Sequence, residues 1–407
     1  MSSSCHLDLS EINNLIWGDC PPNPEVFNRW SQGFVFSSIE PSALVQNCGG
    51  PCAVLAPVQA VILRNILCSG NGKISELDEV DGTELLVGAM LDLMDFLRRE
   101  LVVADSSEEL HAIILSLSDG LHSPYGILCF LYSTLSTYGV PALRNGMAEE
   151  TDPLIDPVHG HASQCLINLF LTGQATPHLF DGTRTVSGVT MTGVQKQPPT
   201  GYLTLFEALQ YCEAGWYLKN PSNPVWILAS ETHFTVIASA ESRLVRKQRT
   251  DDKGPATVQQ AEEAFVRFSS DQDGKAGFID SSQLGPVLDF LHIPYTQKSL
   301  SEINTKLDPE QLGVILQDAF LRHFFPGEMS NRGIEVRAFQ LVHYNGLPKS
   351  DSDGQVRYDW GDAVLLDPTE ELIEKDPVDN RPIHRCLRTK WPTIRVKWKN
   401  GRVPSLN

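Results

Sequence analysis

The chain has 407 residues and a mass of 45.0 kDa, a length that predicts two or three domains. Hydrophobic residues make up 42% and charged residues 20%, which is typical of a globular protein and excludes a disordered, collagenous or coiled-coil chain. The formal net charge of −18 would repel a phosphate backbone, so we expect no nucleic acid partner.

In the first half of the chain, the apolar pattern predicts mostly helices. Apolar residues recur at helical spacing from Pro51 to Cys68, and a Ser-Gly-Asn-Gly stop signal follows. The Gly-, Thr- and Ser-rich segment 181–201 is predicted to be a long loop. Further helices are predicted over Thr83–Leu101, Ser106–Leu121, Ser123–Gly139, Gln164–Leu171 and Thr204–Ala214.

In the second half, strands and helices are both predicted. Val225–Ala229 and His233–Ala238 have the composition of two strands joined by Ser-Glu-Thr. A charged linker at about 243–256 leads to a helical insert, and strands then return. The predicted helices are Val258–Phe268, Ser282–Leu291 and Pro309–Phe324, and the later strands are Gly333–His343 and Ala363–Leu366. This order predicts the α+β class.

Cysteine usage predicts a reducing compartment. The 9 cysteines are odd in number and show no disulfide framework spacing. The N-terminus lacks the basic and apolar regions of a secretory signal, and no uncharged apolar stretch reaches the length of a membrane span. We therefore expect a nuclear and/or cytoplasmic protein with no membrane partner.

The segment Gln46–Ala60 contains the first candidate for chemistry. Gly49 and Gly50 permit a tight turn, and Pro51 has the fixed φ favoured at a helix start. Cys52 is therefore predicted in the first turn of a buried helix, where free N–H groups and the helix dipole favour the thiolate. We expect its pKa to be lower than that of an ordinary thiol. The alternative is a small buried cysteine behind a glycine turn.

Gln46 lies six positions before Cys52, a spacing that resembles the one in papain-like cysteine proteases. In those enzymes the Gln amide and the Cys backbone N–H donate hydrogen bonds to the tetrahedral oxyanion. Gln32 is a rival donor, and a glutamine without a catalytic role is the structural alternative.

A nucleophilic cysteine needs a base, and His233 is the strongest candidate among the 11 histidines. It follows one apolar strand and starts another, so its ring can project from the sheet edge. A cysteine followed by a histidine about 180 residues later is the papain-type order. The group that would orient His233 stays open between Asn345 and Asp362, and a purely structural strand histidine is the alternative.

Metal ligands and other cofactors are not predicted. His159 and His161 lack cysteine or carboxylate partners at zinc spacing, and Cys48 and Cys52 share no second pair. The segment Asp271–Gln283 resembles an EF-hand loop but has Lys275 at an oxygen-ligand position and no closing Glu. A second register over 269–280 ends in the shorter Asp. We predict a helix pair that packs without calcium.

Together these segments resemble the MINDY family of cysteine deubiquitinases. An EF-hand-like insert after the histidine strand is a feature of the third MINDY paralogue, which the chain resembles most. The resemblance covers nearly the whole chain and rests on Trp30–Phe34, Gln46–Ala60, Ile167–Gln174, Gly201–Glu207, Trp226–Val236 and Leu387–Pro392.

The resemblance implies a papain-like hydrolase of isopeptide bonds in polyubiquitin, with a preference for lysine-forty-eight-linked chains and no cofactor. Polyubiquitin chains and ubiquitinated proteins would be the partners. Cys52 would be the nucleophile, His233 the general base and acid, and Gln46 the oxyanion donor.

The same resemblance divides the chain into three parts. Residues 1–250 would form the catalytic core, 255–325 the helical EF-hand-like insert, and 326–407 the strands that complete the core. Two other functions stay open: a catalytically silent ubiquitin-binding scaffold, and a calcium-dependent adaptor built around the insert.

Overall fold

The chain divides into two compact units. Unit 1 consists of Met1–Lys247 and Ala338–Asn407, and unit 2 of Gln248–Arg337. The sequence-based insert, 255–325, lies within unit 2. The computed structural model describes residues 9–68, 81–97, 106–147, 152–186, 188–245, 258–269, 277–291, 293, 295–324, 336–366, 379–399 and 401–407. Helices and strands both occur in these residues, which confirms the α+β class.

Unit 1 begins with a helical region. Its helices, within the described ranges, are α1 (Leu9–Trp17), α2 (Pro24–Trp30), α3 (Cys52–Cys68), α4 (Gly82–Leu97), α5 (Ser107–Ser116), α6 (Ser118–His122), α7 (Gly126–Tyr138), α8 (Val140–Gly146), α9 (Gln164–Thr172), α10 (Leu205–Ala208), α11 (Trp216–Lys219) and α16 (Pro382–Arg388).

Helix α3 is the central helix of unit 1. Every residue from Cys52 to Leu63 is buried, since α3 packs against α4, α7 and α9 as well as strands of the sheet. An all-round apolar sequence is what such a position requires. Each large aliphatic side chain that α3 buries contributes roughly 1.5–3 kcal/mol of transfer free energy, so the start of this helix is held firmly in place.

A six-stranded sheet forms the other part of unit 1. Its strands lie in the order β10-β9-β8-β5-β4-β3; β3 pairs with β4 in parallel and all other neighbours are antiparallel. A separate hairpin contains β1 and β2. The bounds are β1 (Thr183–Val186), β2 (Val189–Thr192), β3 (Gly201–Thr204), β4 (Val225–Ala229), β5 (Phe234–Ala238), β8 (Ala338–Tyr344), β9 (Tyr358–Leu365) and β10 (Ile394–Trp398).

The hairpin of β4 and β5 brings a turn to the start of α3. Ala229 pairs with Phe234 at the end of this hairpin, so residues 230–233 form its connection. Helix α3 packs on both strands. His233 is the last residue of the connection and lies directly before β5, at the end of the hairpin. This is the placement that its position in the sequence predicts.

Unit 2 has a hydrophobic core of its own. Its elements are α12 (Val258–Phe268), β6 (Phe278–Asp280), α13 (Leu284–Phe290), α14 (Gln297–Leu307), β7 (Val314–Leu316) and α15 (Gln317–Phe324). Strands β6 and β7 pair through Ile279 and Ile315, and the rings of Phe265 and Phe320 lie 5.1 Å apart in the core.

Several predicted elements differ from the structure. The segment 181–201, predicted as a loop, contains the β1–β2 hairpin, and the helix predicted over Thr204–Ala214 is only the four-residue α10. The helix predicted over Pro309–Phe324 is wrong in its first part, where Ile315 of β7 pairs with β6. The first and third of these segments contain strands because they pair with a partner strand. Local periodicity does not reveal such pairing.

Among the described residues, no single helix is long and apolar enough to cross a membrane. Helices α7 and α8 reach that length and composition only as a pair, and the pair is bent by 85°.

Candidate active site

Three distant segments of unit 1 meet at one cleft. Gln46 from the loop before α3, Cys52 from the start of α3 and His233 from the β4–β5 turn all line it. The cleft has a volume of about 780 Å³, counted with the solvent at its open mouth. Its other lining residues are Arg29, Gly49, Gly50, Gly160, His161, Ala162, Ser230, Glu231, Thr232, Phe234, Leu347, Lys349 and Asn407.

A glycine turn holds Cys52 at the base of the cleft. Gly50 has a φ of +140°, and a Cβ on it would lie 3.1 Å from the ring of Trp30, so a larger residue would be strained there. Cys52 is only 6% exposed. Its thiol donates a weak hydrogen bond to the Gly50 carbonyl at 3.8 Å. The ring of His233 instead contacts the carbonyl of Asn345.

The thiol of Cys52 is neutral in this arrangement. Burial raises its pKa to about 11, although the backbone N–H groups of Phe234, Ala53 and Cys52 itself lower it in part. The expectation of a lowered pKa was therefore wrong for the resting cleft. Helix-start donors are present as predicted, but the loss of hydration outweighs them.

His233 is buried and oriented by a backbone carbonyl. Its Nε2 lies 2.9 Å from the carbonyl oxygen of Asn345. Because a carbonyl only accepts, Nε2 must carry the hydrogen, which leaves Nδ1 unprotonated in the neutral ring. Burial lowers the pKa of His233 to about 4, against an opposing contribution from Asn345. The resting pair is thus a neutral thiol and a neutral imidazole.

Of the two candidates for orienting His233, the structure brings only Asn345 to it. The carbonyl of Asn345 makes the 2.9 Å contact, and both its main chain and its side chain act to raise the pKa of His233. The same side chain donates to the carbonyl of Ser405 at 2.8 Å and accepts from Leu347 N–H at 3.1 Å. Asp362 lies on β9 and accepts a hydrogen bond from Gln340 across the strand pair. It has no contact with His233.

The two candidate glutamines have different roles in the structure. Gln46 is 2% exposed, lines the cleft, and uses one amide hydrogen on the Cys48 carbonyl at 3.0 Å. Gln32 instead ties the loop together: its amide donates to the carbonyls of Arg29 and Cys48, and its oxygen accepts from the N–H groups of Asn47 and Cys48. Gln32 does not line the cleft.

The sequence reasoning missed two residues beside His233. Ser230 Oγ accepts from the N–H of His233 at 3.0 Å and donates to Oδ1 of Asn407 at 2.5 Å. Asn407 also lines the cleft. Neither residue has a sequence signal, since Asn407 reaches the turn only through the folded path of the C-terminal segment.

The described residues contain no group of three His, Cys, Asp or Glu side chains arranged to hold a metal ion. His159 and His161 stack on each other with ring centroids 6.3 Å apart, and His159 contacts Asp156 at 3.2 Å. The first part of the EF-hand-like loop, 271–276, lies outside the described residues. Asp280 is described, and its carboxylate accepts from Ser282 N–H at 2.8 Å as a helix cap.

The chain matches known deubiquitinating enzymes. The family profile described as "Deubiquitinating enzyme MINDY-3/4, conserved domain" matches residues 91–254. The proteins named "Ubiquitin carboxyl-terminal hydrolase MINDY-3" from Bos taurus and Homo sapiens are each 36% identical to the chain, and the match covers 98% of the chain and 99% of each relative.

A second human relative is more distant. The protein named "Probable ubiquitin carboxyl-terminal hydrolase MINDY-4" is 30% identical over 61% of the chain and 39% of its own length. No solved structure matches the chain. Identity above one third along nearly the whole length is decisive: the chain belongs to the MINDY family of deubiquitinating enzymes.

Proposed function

We propose that this chain hydrolyses isopeptide bonds in polyubiquitin by a papain-like thiol mechanism, with Cys52 as nucleophile, His233 as general base and acid, and Gln46 as oxyanion donor. The observation that carries the proposal is the meeting of these three residues, from separate parts of the chain, in one cleft. A preference for lysine-forty-eight-linked chains is part of the proposal and rests on the family resemblance.

In the acylation step, Cys52 Sγ attacks the carbonyl carbon of the isopeptide bond and its proton passes to His233 Nδ1. The carbonyl oxygen becomes an oxyanion, which receives hydrogen bonds from the Cys52 N–H and from the second amide hydrogen of Gln46. His233 then returns the proton to the lysine nitrogen as the carbon–nitrogen bond breaks. A thioester and a free lysine amine result.

In the deacylation step, His233 takes a proton from a water molecule, whose oxygen attacks the thioester carbonyl. The carbon–sulfur bond breaks, and His233 returns the proton to the Cys52 sulfur, which restores the neutral thiol and imidazole. Ubiquitin leaves as a carboxylic acid that releases its proton to solvent and becomes a carboxylate. The Nε2 contact with Asn345 keeps Nδ1 available in both steps, since it fixes the tautomer.

The neutral resting pair assigns a further role to the substrate. Proton transfer from Cys52 to His233 is unfavourable while burial holds their pKa values at about 11 and about 4. Entry of the ubiquitin C-terminus must turn the thiol from the Gly50 carbonyl toward the imidazole, and catalytic contacts commonly tighten only in the substrate complex.

The test is covalent labelling by an electrophilic ubiquitin probe, together with cleavage of diubiquitins of defined linkage. Wild type should form one adduct on Cys52, and Cys52→Ala should form none and cleave nothing. His233→Gln should lose orders of magnitude in rate because the thiol loses its proton acceptor. Gln46→Ala should lower the cleavage rate on the order of 10²–10³-fold, which is the typical effect of removing one oxyanion donor.

Gln32→Ala is the matched control for Gln46, because it loosens the same loop without removing a donor from the cleft. If Gln32→Ala and Gln46→Ala lose equal activity, the oxyanion assignment is wrong. A wild-type protein that binds diubiquitin but never labels would establish the silent scaffold instead. Binding that disappears when calcium is chelated would establish the adaptor.

A further inference from the structure

The C-terminal segment contacts both turns that hold the candidate base. On one side, Asn407 Oδ1 accepts hydrogen bonds from Ser230 Oγ at 2.5 Å and from Thr232 Oγ1 at 3.5 Å. On the other side, the carbonyl of Ser405 accepts from the Asn345 side chain at 2.8 Å. Ser230 and Asn345 are the two residues that bond His233.

These contacts hold the main chain of His233 as well as its ring. Ser230 Oγ accepts from the backbone N–H of His233, and the Asn345 carbonyl accepts from the ring Nε2. A hydroxyl can donate only one hydrogen, and Ser230 Oγ has two acceptors within reach: Asn407 Oδ1 at 2.5 Å and the carbonyl of His233 at 3.1 Å. Asn407 offers the shorter contact, so it takes the hydrogen and leaves the lone pairs of Ser230 Oγ to the backbone N–H of His233.

The segment itself is well anchored. Leu406 is only 3% exposed, the N–H of Asn407 donates to Ser405 Oγ at 3.0 Å, and that hydroxyl donates to the Asn407 carbonyl at 2.5 Å. Such local bonds hold a short segment in one conformation. The Asn407 side chain is thereby held at the rim of the cleft.

We propose that Asn407 is a positioning residue for the reaction: through Ser230, with Ser405 acting on Asn345, the segment 405–407 aligns the His233 ring for proton transfer. The inference rests on the proposed function and adds to it a residue outside the nucleophile, base and oxyanion donor. It acts through other residues and touches no reacting atom.

Two substitutions at this position separate alignment from simple stability. Asn407→Ala removes the acceptor and should lower kcat roughly tenfold with KM unchanged, because one hydrogen bond to the turn is lost. Asn407→Asp keeps an acceptor for Ser230 and should restore kcat at alkaline pH. Its added negative charge should raise the pKa of His233 and shift the acidic limb of the kcat profile to higher pH.

The charged and titratable groups around His233 stay the same in both variants. They are Arg29, Cys52, His161 and Glu231 in the cleft, His343 on β8 and Lys349 on the turn after β8. A difference between Asn407→Asp and wild type therefore reports the new carboxylate, and a difference between Asn407→Ala and wild type reports the lost acceptor. Asn145→Ala is the matched control, since Asn145 is exposed on α8 and does not line the cleft.

The experiment combines cleavage kinetics of a ubiquitin C-terminal amide with NMR titration of labelled histidines, His233 being assigned by His233→Gln. Ser230→Ala combined with Asn407→Ala should lose no more kcat than Ser230→Ala alone, since both act through one hydroxyl. Wild-type kcat and an unshifted His233 in both Asn407 variants would overturn the proposal. So would a raised KM with unchanged kcat, which would assign Asn407 to substrate contact.

The proposed function can fail separately. A wild-type protein that cleaves no ubiquitin conjugate would refute the hydrolase proposal. The His233 titration in Asn407→Asp would still decide whether the segment controls this histidine, because it needs no substrate.

Discussion

At the scale of the single residue, burial keeps both Cys52 and His233 in their neutral forms. For His233, this makes the stability of the fold depend on pH. In the folded protein, burial lowers the pKa of His233 to about 4, so the ring stays neutral above that pH. In the unfolded chain, a histidine takes up its proton near pH 6.5. Acidification therefore draws the protein toward the unfolded state. The chemistry of the cleft and the stability of the fold are linked through the same proton.

The stability should fall as pH is lowered from about 6.5 toward 4, because the unfolded state then binds a proton that folded His233 does not. His233 accounts for up to about 3 kcal/mol of this loss. Chemical denaturation of wild type and His233→Gln at pH 7.5, 6 and 5 measures it. As the pH falls, the unfolding free energy of wild type should decrease more than that of His233→Gln.

His384 is also buried with a lowered pKa, but it is present in both proteins and its effect cancels. Parallel stability curves for wild type and variant would contradict the prediction.

At the scale of the element, Gln59 connects helix α3 to the loop that carries Gln46. Its side chain is fully buried. The oxygen accepts from Leu44 N–H at 2.8 Å, and the nitrogen donates to the Ser42 carbonyl and the Tyr358 hydroxyl, both at 3.0 Å. One side chain thus satisfies two backbone groups of the loop and, in addition, the Tyr358 hydroxyl of β9.

Gln59→Leu should lower the free energy of unfolding by roughly 2–4 kcal/mol, because it leaves a buried N–H and a buried carbonyl without partners. Tyr358→Phe removes only one partner of Gln59 and should cost about 1 kcal/mol. Urea denaturation of both variants provides the comparison. Equal losses would show that the glutamine does not act as the connection.

Elements with strong local patterns could be predicted from the sequence, and elements defined by pairing could not. Helix α3 and strands β4 and β5 carry long apolar runs, and all three were predicted almost to the residue. Strand β10 (Ile394–Trp398) was missed although its apolar residues alternate with Arg395 and Lys397, because five residues are a short signal and the strand pairs with β9 only.

The same limit applies to the site. The presence of Cys52, His233 and Gln46 in one cleft followed from motif and spacing. The protonation state did not, because the pKa of Cys52 depends on how completely the neighbouring chain excludes water. Asn407 lies outside any motif, and only its contact with Ser230 identifies it.

At the scale of the whole molecule, unit 2 is an insertion into unit 1. The chain leaves at the end of β5 and returns at the start of β8, and these strands are direct neighbours, with Ala238 opposite Val342. Every described residue that lines the cleft belongs to unit 1. Gln46, Cys52 and His233, the residues to which we assign the chemistry, are among them.

A protein in which residues 246–337 are replaced by a short Gly/Ser linker should fold and still be labelled by an electrophilic ubiquitin probe, because β5 and β8 can be joined directly. Labelling rate and circular dichroism are the measurements. A folded product that no longer labels would show that unit 2 contributes to activity. Cys52→Ala in the same shortened chain is the control for specific labelling.

The insertion point also has a consequence for how the protein folds. Pairing β5 with β8 closes a loop of about 100 residues, and the entropy of closure grows with the logarithm of the loop length, about 0.6 kcal/mol for each doubling. A unit 2 that has already collapsed around Phe265 and Phe320 shortens that loop. We therefore expect early folding of the insert to speed assembly of the central sheet, and substitutions in the insert core to slow refolding of unit 1.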